Sequence, residues 1–334
     1  MTLRFIDSFD DRSTANAIFK WGAANGTNTI GTGGGRYAQG KTASTDSNQY
    51  IQYALDIAQD TWIIGWAMKS VGSFSGGTLW RFYDSSSAQV DVYLREDGRI
   101  DVRKGGVVLA LSDPVILQQV WQYIEVKVKF NNTTGTVDFM VNSVSAGSFT
   151  GLDTTATANN YATALRLMGG QNVYIDDFYL CDGAGADTFR GDIRVETLLP
   201  NGAGASTAWT PSAGSNYQAV DDPYSSAPCP DGDSTYISST VVGNRDSYAY
   251  SNLVITAGTI IGVQVSPNAY KTDAGARSLK SYTRIGGVNY DGSAKSLGGS
   301  YASYPELWVI SPATAVAWTV AEVNGAEFGV KDEA

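Results

Sequence analysis

The sequence predicts an all-β protein built as two β-sandwich (jelly-roll) domains, about residues 1–185 and 190–334. Three observations carry that reading. Short runs of Val, Ile, Thr, Tyr, Phe and Trp recur at even spacing between turn-forming clusters, as strands do. No stretch before residue 190 keeps a helical apolar period over more than about two turns. At Cys181-Asp-Gly-Ala-Gly-Ala-Asp187 the pattern lapses into a small, turn-rich run, and it restarts at Gly191-Asp-Ile-Arg-Val-Glu196. The 37 glycines and 19 tyrosines fit many short strands joined by tight turns.

Taken in order, Phe5-Ile-Asp-Ser-Phe-Asp10 alternates as an opening strand. Residues 22–47 are rich in Gly, Thr, Asn and Ser and read as a long loop with one short strand. Within it, Gly31-Thr-Gly-Gly-Gly-Arg36 lacks both the strand-to-helix context and the Lys-Ser/Thr of a phosphate cradle. Tyr50–Leu55 is a strand, and Asp60–Met68 is apolar enough to be buried on both faces. Gly77–Tyr83, Gln89–Leu94, Arg99–Arg103 and Val107–Leu111 follow, joined by Ser-, Asp- and Gly-rich turns of the kind hairpins use. Trp121–Phe130 alternates cleanly, with Tyr123, Glu125, Lys127 and Lys129 on one face and Ile124, Val126, Val128 and Phe130 toward a core. Thr136–Val141, Ala164–Met168 and Val173–Leu180 complete the first domain.

In the second domain, strands read at Gly191–Leu199, Tyr236–Val242, Asp246–Tyr250, Gly258–Pro267, Arg277–Ile285, Tyr304–Ser311 and Ala326–Lys331. Leu307-Trp-Val-Ile310 is the best placed of these for burial, and Thr319 suits the N-cap of a single helical turn. An acidic, Pro-rich loop runs from Asp221 to Asp233.

Composition excludes several functions. A net charge of −10 with scattered Lys and Arg argues against a nucleic-acid partner. With no histidine, Ser-His, Cys-His and His-metal arrangements are ruled out. Cys181 and Cys229 are too sparse for a disulfide scaffold; one bridge between them and two separate thiols both stay open. The N-terminus lacks a basic region followed by an apolar one, and the longest apolar run is too short to span a bilayer. The expectation is a chain made in a cytoplasm, without membrane insertion.

These residues carry a family resemblance. Ser8-Phe9-Asp10, Trp62-Ile-Ile-Gly-Trp66, Trp121-Gln-Tyr-Ile-Glu-Val126, Phe139-Met-Val-Asn142 and Ile175-Asp-Asp-Phe-Tyr179 occur in an order that resembles the laminin-G-like, concanavalin-A-like jelly roll. The resemblance covers roughly residues 3–182 and implies that the first and last strands pair. The second half resembles second domains of tailed-bacteriophage structural proteins, through residues 191–204, 273–280 and 318–331. The pairing of the two implies a virion component, made in the host cytoplasm and working through contacts with other virion proteins. It implies a non-enzymatic role, tail-associated or capsid-decorating, and a homo-oligomer, with a trimer favoured. The alternative is a carbohydrate-binding adhesin of the tail fibre or tip that engages host surface glycans.

Four groups of residues are candidates for chemistry. Asp176 and Asp177, with Asp7 or Asp10 from the neighbouring first strand, form a candidate oxygen-ligand Ca²⁺ site; otherwise no cofactor is implied. Strand alternation sends adjacent residues to opposite faces, so the plain alternative is one solvated and one hydrogen-bonded carboxylate. Asp231-Gly-Asp-Ser-Thr235, near Asp221 and Asp222, lacks EF-hand spacing and reads as an acidic turn before a calcium loop. Tyr37, Tyr161 and Tyr224 are loop aromatics and candidate ligand contacts, whereas Trp62, Trp66, Trp80 and Trp121 are expected in the core. No catalytic residue is assigned. The Glu-x-Asp-x-x-Glu strand of jelly-roll glucanases is missing, Glu125 stands alone among Val and Lys, and Glu96 belongs to a hairpin turn.

Overall fold

The computed structural model describes residues 2–11, 18–25, 28–30, 34–37, 43–45, 49–114, 116–169, 171–184, 189–222 and 230–333. The chain divides into two units, Met1–Asp10 with Trp21–Val195 and Asp11–Lys20 with Glu196–Ala334. The segment from 189 to 195 therefore goes with the first unit. It carries no strand, although Gly191–Glu196 alternates as one would.

The first unit opens with β1 (Leu3–Asp7), β2 (Ala23–Asn25), β3 (Asn28–Ile30), β4 (Ala43–Thr45), β5 (Tyr50–Ala54), β6 (Thr61–Ser70) and β7 (Gly77–Asp84). It continues through β8 (Ser87–Leu94), β9 (Ile100–Lys104), β10 (Val107–Leu111), β11 (Gln122–Lys129) and β12 (Gly135–Val141) to β13 (Val144–Leu152), β14 (Ala164–Met168) and β15 (Val173–Asp182). Two antiparallel sheets result. One runs β13-β12-β11-β6-β15-β4-β3 with β1 also on β15; the other runs β10-β9-β8-β7-β14-β5-β2.

The first and last strands pair as the resemblance implies, Leu3 opposite Cys181 and Asp7 opposite Phe178. Asp182 secures that edge by accepting from the Thr2 N–H at 3.0 Å and the Arg4 Nε at 2.7 Å. Between the sheets lies an aromatic core. The Trp80 ring stacks on Phe178 at 4.6 Å and meets Trp66 edge-on at 5.6 Å, while Phe5 stacks on Tyr53 at 4.3 Å. Each such side chain contributes about 1.5–3 kcal/mol by leaving water. Trp62, Trp66 and Trp80 are fully buried, as expected; Trp121, at the foot of β11, is only half-buried.

β13 is not legible as a strand in the sequence. Its run VSAGSFTGL has glycines at positive φ and an exposed outer edge, so little of the apolar alternation survives. Cross-strand packing of Phe139 on Phe149, 6.2 Å apart, holds it to β12.

The second unit is also almost entirely β. β16 (Pro200–Thr207), β17 (Thr210–Pro211), β18 (Ile237–Ser238), β19 (Arg245–Tyr250), β20 (Val263–Val265) and β21 (Asn268–Ala269) come first. β22 (Ser278–Ile285), β23 (Val288–Asp291), β24 (Lys295–Ser296), β25 (Ala302–Ser303), β26 (Glu306–Trp308) and β27 (Glu327–Glu333) follow. One sheet runs β16-β19-β27-β22-β23, with β24 on β22, beside the two-stranded ribbons β17-β18, β20-β26 and β21-β25. A short helix (Val320–Gly325) starts at Thr319, whose side chain accepts from the Glu322 N–H as an N-cap. Trp318, Val323, Ala326 and Phe328 form its buried centre. Leu307–Val309 is half-buried and Ile310 exposed, less than its composition suggests, because β26 has only the three-residue partner β20.

Candidate functional site

Two outer faces of the first unit hold its polar chemistry, and they differ in kind. On the β6-β15 face, Asp176 pairs with Ala67 and Tyr179 with Gly65, so β15 carries an extra residue there. Asp177 takes it up at φ +49°, in the left-handed region that Asp tolerates better than most residues. The bulge breaks the alternation, and both aspartates turn to one residue, Arg36. Asp176 Oδ2 accepts from the Arg36 backbone N–H at 2.7 Å, and Asp177 Oδ2 from its Nη1 at 3.3 Å. The same guanidinium donates to Asp192 Oδ2 at 2.6 Å and to the Ile193 carbonyl at 3.2 Å.

The remaining acceptors there are also occupied. Asp176 Oδ1 accepts from the Asp177 N–H and Asp177 Oδ1 from the Val195 N–H, each at 2.8 Å. Burial, then the charge of Asp177, pushes the Asp176 carboxyl well above its usual range, and Asp10 adds to the effect. Burial also raises Asp177.

One strand away, the Tyr179 hydroxyl donates to Glu125 Oε1 at 2.5 Å, and the Arg190 and Gly191 N–H groups donate to the same oxygen at 2.8 and 2.9 Å. Burial pushes the Glu125 carboxyl up against those hydrogen bonds. The Tyr179 ring lies across Gly65, where a Cβ would come within 2.1 Å of it. Residues 190–195 thus lie over this face and fill it.

Among the described residues no group of three or more carboxylates or thiols is arranged to hold a metal ion. At Asp177 the guanidinium of Arg36 supplies a positive charge, and Asp176 accepts from the Arg36 backbone N–H. In the acidic loop, Asp231 caps Thr235 through the Thr235 N–H at 3.2 Å, and Asp233 accepts from the Tyr270 and Tyr301 hydroxyls at 3.3 and 2.8 Å. Cys181 is buried in β15, and Cys229 lies outside the described residues.

Of the three candidate tyrosines, two are among the described residues, and they sit in different surroundings. Tyr37 is exposed beside the Arg36 cluster, with the Arg194 guanidinium 4.2 Å over its ring. Tyr161 is half-buried, and its carbonyl accepts from Gln89 Nε2 at 3.0 Å. Tyr224 lies outside the described residues.

The other outer face, on the sheet that carries β7, presents partly exposed polar side chains. Here the register aligns one residue from each of five adjacent strands: Gln52 opposite Arg166, Arg166 opposite Arg81, Arg81 opposite Asp91 and Asp91 opposite Arg103. Directly opposed residues share a face, and Ile51, Leu165, Trp80, Val92 and Val102 beside them are buried in the core. The five therefore form a polar row about 19 Å long, at ~4.8 Å per strand.

Tyrosines flank the row. Arg81 pairs with Asp91 through both Nε and Nη2, the latter at 2.8 Å. Arg103 makes two bonds to Asp101, at 2.7 and 2.8 Å, with the Tyr93 ring 3.3 Å beneath it. Arg166 donates Nε–H to Gln52 Oε1 at 2.6 Å, its guanidinium carbon 3.9 Å from the Tyr50 ring centre and 4.0 Å from that of Tyr83. Alternation shows these side chains facing out of their strands. Their assembly into a row depends on strand order, which has no local signal in the sequence.

No protein-family model matches this chain, and no curated protein matches it. Among solved structures, an endo-β-1,4-glucuronan lyase from the fungus Trichoderma reesei is similar over 54% of this chain and 96% of its own, at 9% identity and a TM-score of 0.40. Domain 4 of AbnA, a GH43 extracellular arabinanase from Geobacillus stearothermophilus solved with arabinotriose, is similar over 54% of this chain and 92% of its own, at 14% identity and TM-score 0.37. A galectin from Caenorhabditis elegans is similar over 39% and 89%, at 10% identity and TM-score 0.29.

Proposed function

We propose that the first unit is a non-enzymatic carbohydrate-recognition module that binds through the outer face of its seven-stranded sheet. The observation that carries this reading is the row Gln52–Arg166–Arg81–Asp91–Arg103. It sets the donors of three arginines beside the Gln52 amide and the Asp91 carboxylate, at a spacing suited to the hydroxyls of an extended saccharide and between tyrosine rings. The carboxylates on this face, Asp91 and Asp101, are each held by an arginine, so no pair is left for general acid–base chemistry.

The setting proposed is the surface of a tailed-bacteriophage particle, on the strength of the sequence resemblance, with the second unit making contacts to other virion proteins. A homo-oligomer, trimeric by preference, goes with that setting. Binding of the purified full chain to an array of bacterial surface glycans tests the module. Saturable binding weakened roughly tenfold or more by Arg81→Ala is expected, the loss of a charge-assisted bond. An array that stays blank across host glycans overturns the reading. Antibody against the chain, applied to gently disrupted particles, tests the setting.

A further inference from the structure

We propose that Arg166 is a carboxylate-receiving residue, so that the ligand of the seven-stranded sheet's outer face is an acidic saccharide. The proposal rests on the carbohydrate reading above and adds the chemical class of the sugar. Every other arginine of the row is answered by an acid: Arg81 by Asp91, Arg103 by Asp101. Arg166 is not. Among the described residues its only hydrogen bond runs from Nε to Gln52, and no carboxylate pairs with it. Its two terminal nitrogens, Nη1 and Nη2, have no protein partner among those residues.

This guanidinium is held in place before any ligand arrives. Gln52 anchors its Nε, and the ring centres of Tyr50 and Tyr83 lie 3.9 and 4.0 Å from its guanidinium carbon. A planar fork held so loses little freedom on binding, and its free edge matches the two oxygens of a carboxylate.

The neighbours favour a saccharide over an acidic peptide. The backbone N–H and C=O groups of β14 are engaged on both sides, by β5 and by β7, so no added strand can pair there. The row beside Arg166 is polar, and it offers hydroxyl-binding groups.

The test uses the full chain and a uronate tetrasaccharide, compared by calorimetry with the same oligosaccharide after its carboxylates have been reduced to hydroxymethyl groups. Preference for the acidic form of roughly 10- to 100-fold is expected, shrinking with added salt. Arg166→Gln should bring the acidic and the reduced sugar to equal affinity. Equal binding of both sugars by the natural chain overturns the inference and leaves the carbohydrate reading intact; this comparison needs no variant to fold. No binding to either sugar or to any arrayed glycan overturns both. A poly-glutamate peptide that competes as well as the uronate overturns the saccharide assignment.

Discussion

Arg36 and Arg166 sit on opposite outer faces of the same sandwich, and their surroundings differ in one decisive way. Arg36 is surrounded by carboxylates: Asp177 and Asp192 take its charge, and residues 190–195 close over the site. Arg166 is surrounded by rings and one amide, with its terminal nitrogens free of protein partners among the described residues. The first arrangement has spent its hydrogen bonds on holding a bulge and a chain segment. The second has left them for something else. A cluster of charges in the sequence therefore says little until its occupancy is known, because the site richest in aspartates is the one already filled.

The contrast is open to measurement. Arg36→Ala should be the most damaging change. It leaves Asp177 buried without its counter-charge, at a cost of about 3–5 kcal/mol, measured by urea unfolding followed through tryptophan fluorescence. An effect under about 1 kcal/mol would mean that the cluster is not the lock described here.

Gly65→Ala comes next. Its Cβ would meet the Tyr179 ring at 2.1 Å, so a loss of about 1–3 kcal/mol is expected in the same assay, together with exposure of the Glu125 contact.

Asp176 gives a pH signature. Its folded-state carboxyl is raised above the ordinary 3.8 by burial. The folded chain therefore holds a proton that the unfolded chain releases. The stability from this group is fully present below the unfolded value and is lost as pH rises through the folded one. Unfolding measured from acid to neutral pH should show that decline, and Asp176→Asn should flatten it.

Arg166→Gln should change stability least, by about 1 kcal/mol, since what it removes is one hydrogen bond to Gln52 and the contacts with two rings at a half-buried position. A larger loss would make Arg166 another structural arginine and erase the distinction from Arg36.

Much of the scaffold was legible in the sequence. Alternation in Trp121–Phe130 gave the face of each side chain, and Ile124, Val126 and Val128 are buried as that pattern requires. The pairing of the first and last strands also follows the resemblance, and Thr319 caps its helix as its position suggests. The sites were less legible. For Asp176 and Asp177 the alternation rule misled, because a bulge at a left-handed Asp177 sends both carboxylates to Arg36. Arg36 itself ends a glycine-rich run that reads only as loop.

By itself, then, the sequence determined what depends on near neighbours: strand periodicity, turns, a helix cap, and the exclusion of histidine chemistry. The tertiary structure decided what depends on residues brought together from far apart. Strand order alone sets Gln52 beside Arg166, 114 positions away, and a register fixed by the whole sheet places Arg81, Asp91 and Arg103 beyond it. Side-chain period is local and survives in any window of the chain. Register and bulges are set by the packing of both faces at once, and no window contains that information.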